Sequence, residues 1–178
     1  VLTSEMVAEG LCIKHGERQY AIRLTEPIDL PEKPFPLDPY VLGAWLGDGT
    51  SATGSLTSMD QFIVDEIVSA GFPVRSSRQE SRASRYTFKG LWSALSQTGL
   101  TMVELADSRK MDKRIPAAYL RGSREQRLAL LQGLMDTDGT ISKSGACELA
   151  LRKGALAGDA LELARSLGIR SSLTINQA

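Results

Sequence analysis

The sequence predicts an α+β fold of two repeated halves, each a small antiparallel sheet carrying helices on one face. Three observations lead there. Residues 41–49 (VLGAWLGDG) and 131–139 (LQGLMDTDG) share one plan, with Gly43 or Gly133 five residues before Asp48 or Asp138, and Gly49 or Gly139 directly after. This is an internal repeat about ninety residues apart. Helix-type and strand-type segments also alternate after each copy. Finally, Pro27, Pro31, Pro34, Pro36 and Pro39 fall within thirteen residues, a density that excludes helix and central strand. It marks a linker or boundary before the repeats.

Composition bounds the function. A chain of 178 residues with 42% hydrophobic content can bury an ordinary core, and it has no apolar run near the eighteen residues that a membrane span needs. With no basic and apolar leader before the first element, a soluble, cytoplasmic protein is expected. Cys12 and Cys147 lack metal-type spacing and read as reduced, buried thiols. The single histidine, His15, stands before Gly16 as a turn residue and cannot be half of a histidine metal cluster. Lys and Arg (21) balance Asp and Glu (21), which argues against a uniformly basic nucleic-acid binder and shifts the question to where the cations lie.

In chain order, residues 3–9 form a short helix stopped by Gly10, and 19–24 a strand after the HGER turn. The proline-rich segment is either a loop packed on the surface or a flexible hinge. Asp38 and Pro39 suit the N-cap and first position of the first repeat helix. Residues 50–57 form a short strand or hairpin. A helix over 59–70 carries Phe62, Ile63, Ile67 and Val68 at helical spacing and stops at Gly71. Residues 74–78 and 85–88 pair as a hairpin, and 91–95 begin another helix. The second repeat helix, 124–139, has Leu128, Leu131, Leu134 and Met135 as its packing stripe. Gly133 and Thr137 form a separate pair of small side chains, and Gly139 suits a left-handed stop. Strands over 140–142 and 148–151, a helix over 155–167 stopped by Gly168, and a strand over 170–175 follow. Compared with the first half, a final strand and helix are missing, as in a fragment or a chain continued by another piece.

The chemistry lies at the helix ends. Carboxylates at the negative end of a helix dipole are disfavoured by up to about 1 kcal/mol, and a cation would relieve that penalty. The bland alternative is that both Asp-Gly pairs are ordinary helix-to-strand turns. Asp136 faces away from Asp138 and is matched by Leu46 in the first copy, so a structural role is expected of it. On the hairpin, Arg75, Arg78, Arg82, Arg85 and Lys89 stand against one acid, Glu80. A two-stranded ribbon fits a DNA major groove, though a solvated basic hairpin is the alternative. Arg152, Lys153 and Arg170 are thinner candidates in the second half.

Both repeat copies match the LAGLIDADG motif. With DPYVLGAWLGDG, KRIPAAYLRGSREQRLALLQGLMDTDG and LARSLGI, the chain resembles the LAGLIDADG homing endonucleases embedded in inteins, and among these the inteins of bacterial replicative helicases. The resemblance implies two αββαββα-like halves related by a pseudo-twofold, at 39–112 and 113–178, the second incomplete. Residues 1–26 would end an N-terminal splicing segment and 27–38 would be the linker. The two repeat helices would pack through Gly43, Gly47, Gly133 and Thr137, so that Asp48 and Asp138, with backbone near Gly47 and Thr137, hold Mg²⁺ or Mn²⁺ for phosphodiester hydrolysis. Lys113, in DKRIP, would assist beside the metal, with a solvated loop lysine near Arg109, Lys110 and Arg114 as the alternative. Its counterpart in the second half is not evident, Lys143 and Lys153 being the candidates. The implied partners are double-stranded DNA and the flanking splicing domain of one precursor, with the chain a monomer. Val1 is no splicing nucleophile and Asn176, Gln177 and Ala178 form no His-Asn end, so the piece is not expected to splice alone. Two other readings stand beside cleavage: a catalytically inactive or incomplete nucleic-acid-binding module, and a domain that only braces an intein.

Overall fold

The computed structural model describes residues 2–10, 12, 17–18, 20–21, 23–50, 53–80, 82–98, 113–152 and 154–175. His15, Gly16, Arg109, Lys110, Lys153, Val1 and the three C-terminal residues lie outside them. Helix α1 (Thr3–Glu9) ends at Gly10, whose φ of 85° favours glycine. The strand expected over 19–24 is not formed at residues 20, 21, 23 and 24. A strand exists only with a paired neighbour, and among the described residues this region offers only the isolated bridge between Cys12 and Arg18. Both cysteines are exposed, against the expectation of buried thiols. Cys12 lies on that thin bridge, and Cys147 begins a strand of a largely exposed two-stranded sheet.

The proline-rich segment is packed. Ile28 donates its N–H to Ser166 O at 2.9 Å. Lys33 uses both backbone groups on Gln126, donating to Oε1 at 3.1 Å and accepting from Nε2 at 2.6 Å. The Tyr119 hydroxyl donates to Leu37 O at 2.8 Å, and its ring stacks on Phe35 with centroids 4.0 Å apart. These bonds satisfy backbone groups that prolines cannot place in regular structure.

From Pro39 the order is helix α2 (Pro39–Asp48), β1 (Gly49–Thr50), β2 (Ser55–Ser58), α3 (Gln61–Ser69), β3 (Val74–Glu80), β4 (Ala83–Phe88) and α4 (Leu91–Ser96). The strands form one antiparallel sheet in the order β1-β2-β4-β3. A 3₁₀ turn (Tyr119–Arg121), α5 (Arg124–Asp138), β5 (Gly139–Ile141), β6 (Cys147–Leu149) and α6 (Ala155–Ser166) follow, with β5 and β6 as a separate antiparallel pair. Residues 170–175 are not a strand. They find no partner strand among the described residues, and Arg165 Nη2 takes the Ser171 carbonyl at 3.2 Å instead. No described helix is long and apolar enough to cross a membrane.

The core joins Leu42, Trp45 and Leu46 of α2, Leu56, Ile63, Ile67, Leu91, Leu95, Ile115, and Leu130 and Leu134 of α5. Two packing faces differ from their sequence expectation. On α3 the buried residues are Ile63, Val64 and Ile67, while Phe62 and Val68 are exposed. On α5 the buried stripe is Arg127, Leu130, Gly133 and Leu134, with Leu128 exposed. Selecting only large apolar residues rotated that stripe off the glycine, when the glycine lies on it.

Candidate active site at the paired helix tips

Each repeat helix begins with a specific cap. Asp38 Oδ1 accepts from Tyr40 N at 2.9 Å and Val41 N at 3.2 Å, with Pro39 in the first turn of α2. Ser123 and Gln126 form a reciprocal capping box at the start of α5.

The two helices then cross backbone to backbone. A Cβ on Gly43 would overlap the Leu130 carbonyl and stand 3.0 Å from Leu134 N. One on Gly133 would overlap the Tyr40 carbonyl and stand 2.7 Å from Ala44 N. Farther along, Gly47 leaves the space that Thr137 fills, since a Cβ there would be 2.8 Å from Thr137 Cβ and 3.2 Å from Asp138 Oδ2. The structure thus brings Gly43, Gly47, Gly133 and Thr137 into one seam and places the Asp138 carboxylate against the residue preceding Asp48. Asp136 crosses the same seam, accepting the Tyr40 hydroxyl at 2.8 Å.

Neither helix stops in a left-handed residue. Gly49 (φ −73°, ψ 143°) and Gly139 (φ −88°, ψ 152°) are extended and lead straight into β1 and β5, which corrects the expectation for Gly139. Space makes glycine necessary here: a Cβ would overlap the Trp45 carbonyl and ring at one position, and the Met135 carbonyl at the other.

Burial governs the site's electrostatics. It pushes the Asp48 carboxyl above its ordinary range, the Asp138 charge adds to the rise, and Lys113 opposes it. Burial raises Asp138 as well, again against Lys113. The ammonium of Lys113 is lowered to about 8 by burial, despite the pull of Asp138 and Asp48. Its Nζ donates to the carbonyls of Trp45 (3.1 Å), Leu46 (2.9 Å), Gly47 (3.1 Å) and Gly49 (2.9 Å), and lies 5.0 Å from the Trp45 ring centroid. A cation is thereby fixed at the negative end of α2, where orphan carbonyls and the dipole both favour it.

These groups fit a hard divalent ion. Two partly dehydrated carboxylates, one from each tip, match Mg²⁺, which takes one or two protein carboxylates and fills its other positions with water and phosphate. Among the described residues no cluster of three or more His, Cys, Asp or Glu offers a closed protein cage.

The basic hairpin is exposed and partly ordered by register. Arg78 and Arg85 are direct cross-strand partners, and Thr57 of β2 lies opposite Arg85 on the same face. Leu56, Tyr86 and Ser77 share the other face, where Leu56 enters the core. Arg75 interrupts the alternation at an irregularity between Val74 and Ser76. Arg82 lies in the β3–β4 turn and Lys89 in the turn after β4. Arg152 follows β6, apart from this group in the second sheet region, and Lys143 is exposed between β5 and β6.

Two residues that tie the surrounding segments together carry no obvious sequence signal. Arg127 is fully buried, donating to Gly122 O at 3.0 Å, to Ser166 O at 2.7 Å and Oγ at 2.6 Å, and to Ile28 O. Its signal was phase, since it precedes Leu130 by three residues and Leu134 by seven. Asp159 accepts the Ile115 N–H at 2.8 Å, and no local pattern announces that link across 44 residues.

Residues 125–178 match the family model described as LAGLIDADG-like domain. The chain is also 38% identical over 143 residues to a replicative DNA helicase DnaB of Mycobacterium intracellulare, across 80% of this chain and 21% of that protein. It therefore spans about a fifth of the relative's length. Residues 125–178 thus carry a LAGLIDADG-like domain, whose motif helix crosses the first copy of the motif at their small residues so that both end in neighbouring aspartates.

Proposed function

We propose that the chain is the site-specific DNA endonuclease of an intein, hydrolysing phosphodiester bonds in double-stranded DNA. One observation carries the reading: α2 and α5 pack through Gly43, Gly133 and the Gly47–Thr137 contact, so that the tips bearing Asp48 and Asp138 adjoin. In this reading residues 39–112 and 113–178 are pseudo-twofold halves, 27–38 is the connecting segment, and 1–26 belong to a splicing domain of the same precursor. A pseudo-twofold suits a duplex that presents one scissile phosphate on each strand.

Asp48 and Asp138 would hold Mg²⁺ or Mn²⁺, which lowers the pKa of bound water and neutralises charge at phosphate oxygens. The Gly47 carbonyl already accepts from Lys113, and the Thr137 hydroxyl donates back to Gly133 O and Leu134 O, both at 3.1 Å. The carboxylates would therefore be the main donors to the ion, with backbone near Gly47 and Thr137 beside them. Lys113 adds positive potential where phosphate charge develops, while its hydrogen bonds hold the α2 tip. Arg78 and Arg85, adjacent like charges on the open sheet face, are suited to phosphates or guanine edges, and β1 joins that sheet directly to the Asp48 tip. Arg75, Arg82 and Lys89 extend the basic surface, with Arg152 and Lys153 in the second half.

The test is Mg²⁺-dependent nicking of a plasmid carrying an uninterrupted replicative helicase gene. Asp48→Asn with Asp138→Asn should abolish nicking while DNA binding persists. Unchanged nicking in the double variant would remove the two aspartates from the mechanism. If the unaltered chain binds the plasmid insert but leaves it intact, the nucleic-acid-binding module is the better reading.

A further inference from the structure

We propose that Asp159, on α6, is a positioning residue for the tip site and acts through Lys113; the assignment rests on the cleavage function proposed above. Lys113 reaches the α2 tip from a segment without regular secondary structure, whose direction must be fixed elsewhere. Two residues on, Ile115 is fully buried and donates its backbone N–H to Asp159 Oδ2 at 2.8 Å. The other carboxylate oxygen lies 3.6 Å from Arg114 Nη2. The Asp159 side chain is 13% exposed and Arg114 58% exposed, so the buried amide, and not the outer ion pair, is the contact that needs this acceptor. With Asp159 in place, the chain is pinned at Ile115 and delivers the ammonium to the carbonyls of Trp45, Leu46, Gly47 and Gly49. Docking of α6, which follows the Asp138 tip, thereby sets the geometry of the Asp48 tip. One acidic side chain links the two.

Three variants of the full chain separate this role from general stability. Asp159→Ala removes the acceptor. Misplacing a group near reacting atoms by about 1 Å can cost about 100-fold in rate, so nicking of the helicase-gene plasmid should fall by about 10- to 100-fold. In the same protein the slowly exchanging ammonium signal of Lys113 in nitrogen-detected NMR should disappear, while the buried Arg127 guanidinium keeps its own. Asp159→Asn keeps an oxygen acceptor and loses the charge. It should retain the Lys113 signal and stay within about threefold of the unaltered rate, a change below roughly 1 kcal/mol. Should Asp159→Ala not fold, Asp159→Glu displaces the acceptor by one methylene, and its Lys113 signal should shift.

The proposal is overturned if Asp159→Ala leaves both nicking and the Lys113 signal intact. It is equally overturned if nicking falls while that signal persists, or if the signal of a folded Asp159→Glu stays unshifted. An unaltered chain that binds DNA without nicking would defeat the cleavage reading alone, because the ammonium signal still decides the Asp159 assignment.

Discussion

The two tips have the same sequence plan and are held by different means. Helix α2 is buried along nearly its whole length, from Val41 to Leu46, and its terminal carbonyls converge on the ammonium of Lys113. Helix α5 is buried on one stripe only. Its end is closed by Thr137, which bonds to Gly133 O and Leu134 O, and by the Ala150 N–H, which donates to Asp138 O at 3.2 Å. One tip is therefore fixed by a charge brought from outside the helix, and the other by neutral donors. The repeated motif specifies the seam and the acid, while the groups that neutralise the helix end come from segments that do not repeat.

Breaking the seam should have the largest effect and should treat the tips alike. Gly133→Val inserts a branched side chain where even a Cβ would overlap Tyr40 O. Overpacking of this kind costs about 3 kcal/mol or more when backbone cannot withdraw. For a domain of this size that is a fall in Tm of roughly 6–12 °C, with loss of nicking as the tips separate. Gly43→Val should match it, since its Cβ would overlap Leu130 O. Calorimetry showing either variant as stable as the unaltered chain would mean that the helices do not cross so closely.

Removing the lysine should then split the tips. Lys113→Met leaves four carbonyls of the α2 end without their common donor, although Trp45 O keeps the Gly49 N–H. Unsatisfied buried groups cost about 1–3 kcal/mol, offset in part by no longer burying a charge. Amide hydrogen exchange should rise at residues 45–50 and stay level at 135–140. Equal rises at both ends would contradict the asymmetry.

The seam and the lysine also differ in how legible they are in the sequence. Gly43, Gly47 and Gly133 announce the seam because glycine inside a helix is unfavourable unless something approaches, and the repeat of Asp-Gly marks both tips. The α5 packing stripe was not legible from large residues alone. Arg127 takes a core position because its guanidinium has carbonyl partners from Gly122, Ile28 and Ser166, which only tertiary structure assembles. The Lys113 clamp and its Asp159 support have the same origin, since they join residues 64 to 68 and 44 positions apart. The strands expected at residues 20, 21, 23 and 24 and over 170–175 do not form for a related reason: β-type sequence forms a strand only where a ladder partner exists.

The smallest expected effect concerns the acids and has opposite signs with and without metal. Burial raises Asp138 above its ordinary value of 3.8 in the folded state. A carboxyl raised by folding contributes stability that is fully present below the unfolded pKa and is lost as pH rises through the folded pKa. At pH 7 the metal-free chain has lost that contribution, and ionised Asp138 also raises its neighbour Asp48. Asp138→Asn should therefore raise the metal-free Tm by about 1–3 °C at pH 7, under about 1 kcal/mol after allowing for partial solvent exposure. The gain should shrink towards zero as pH falls below the unfolded value. Asp48→Asn should likewise raise the metal-free Tm, because burial and the Asp138 charge both raise that carboxyl. Saturating Mg²⁺ should reverse the order, since ligand binding stabilises only the chain that still has both carboxylates. A metal-free Asp138→Asn chain that melts lower at pH 7 than the unaltered one would show that the Asp138 charge is already compensated by Lys113, and the tips would then be electrostatically balanced without an ion.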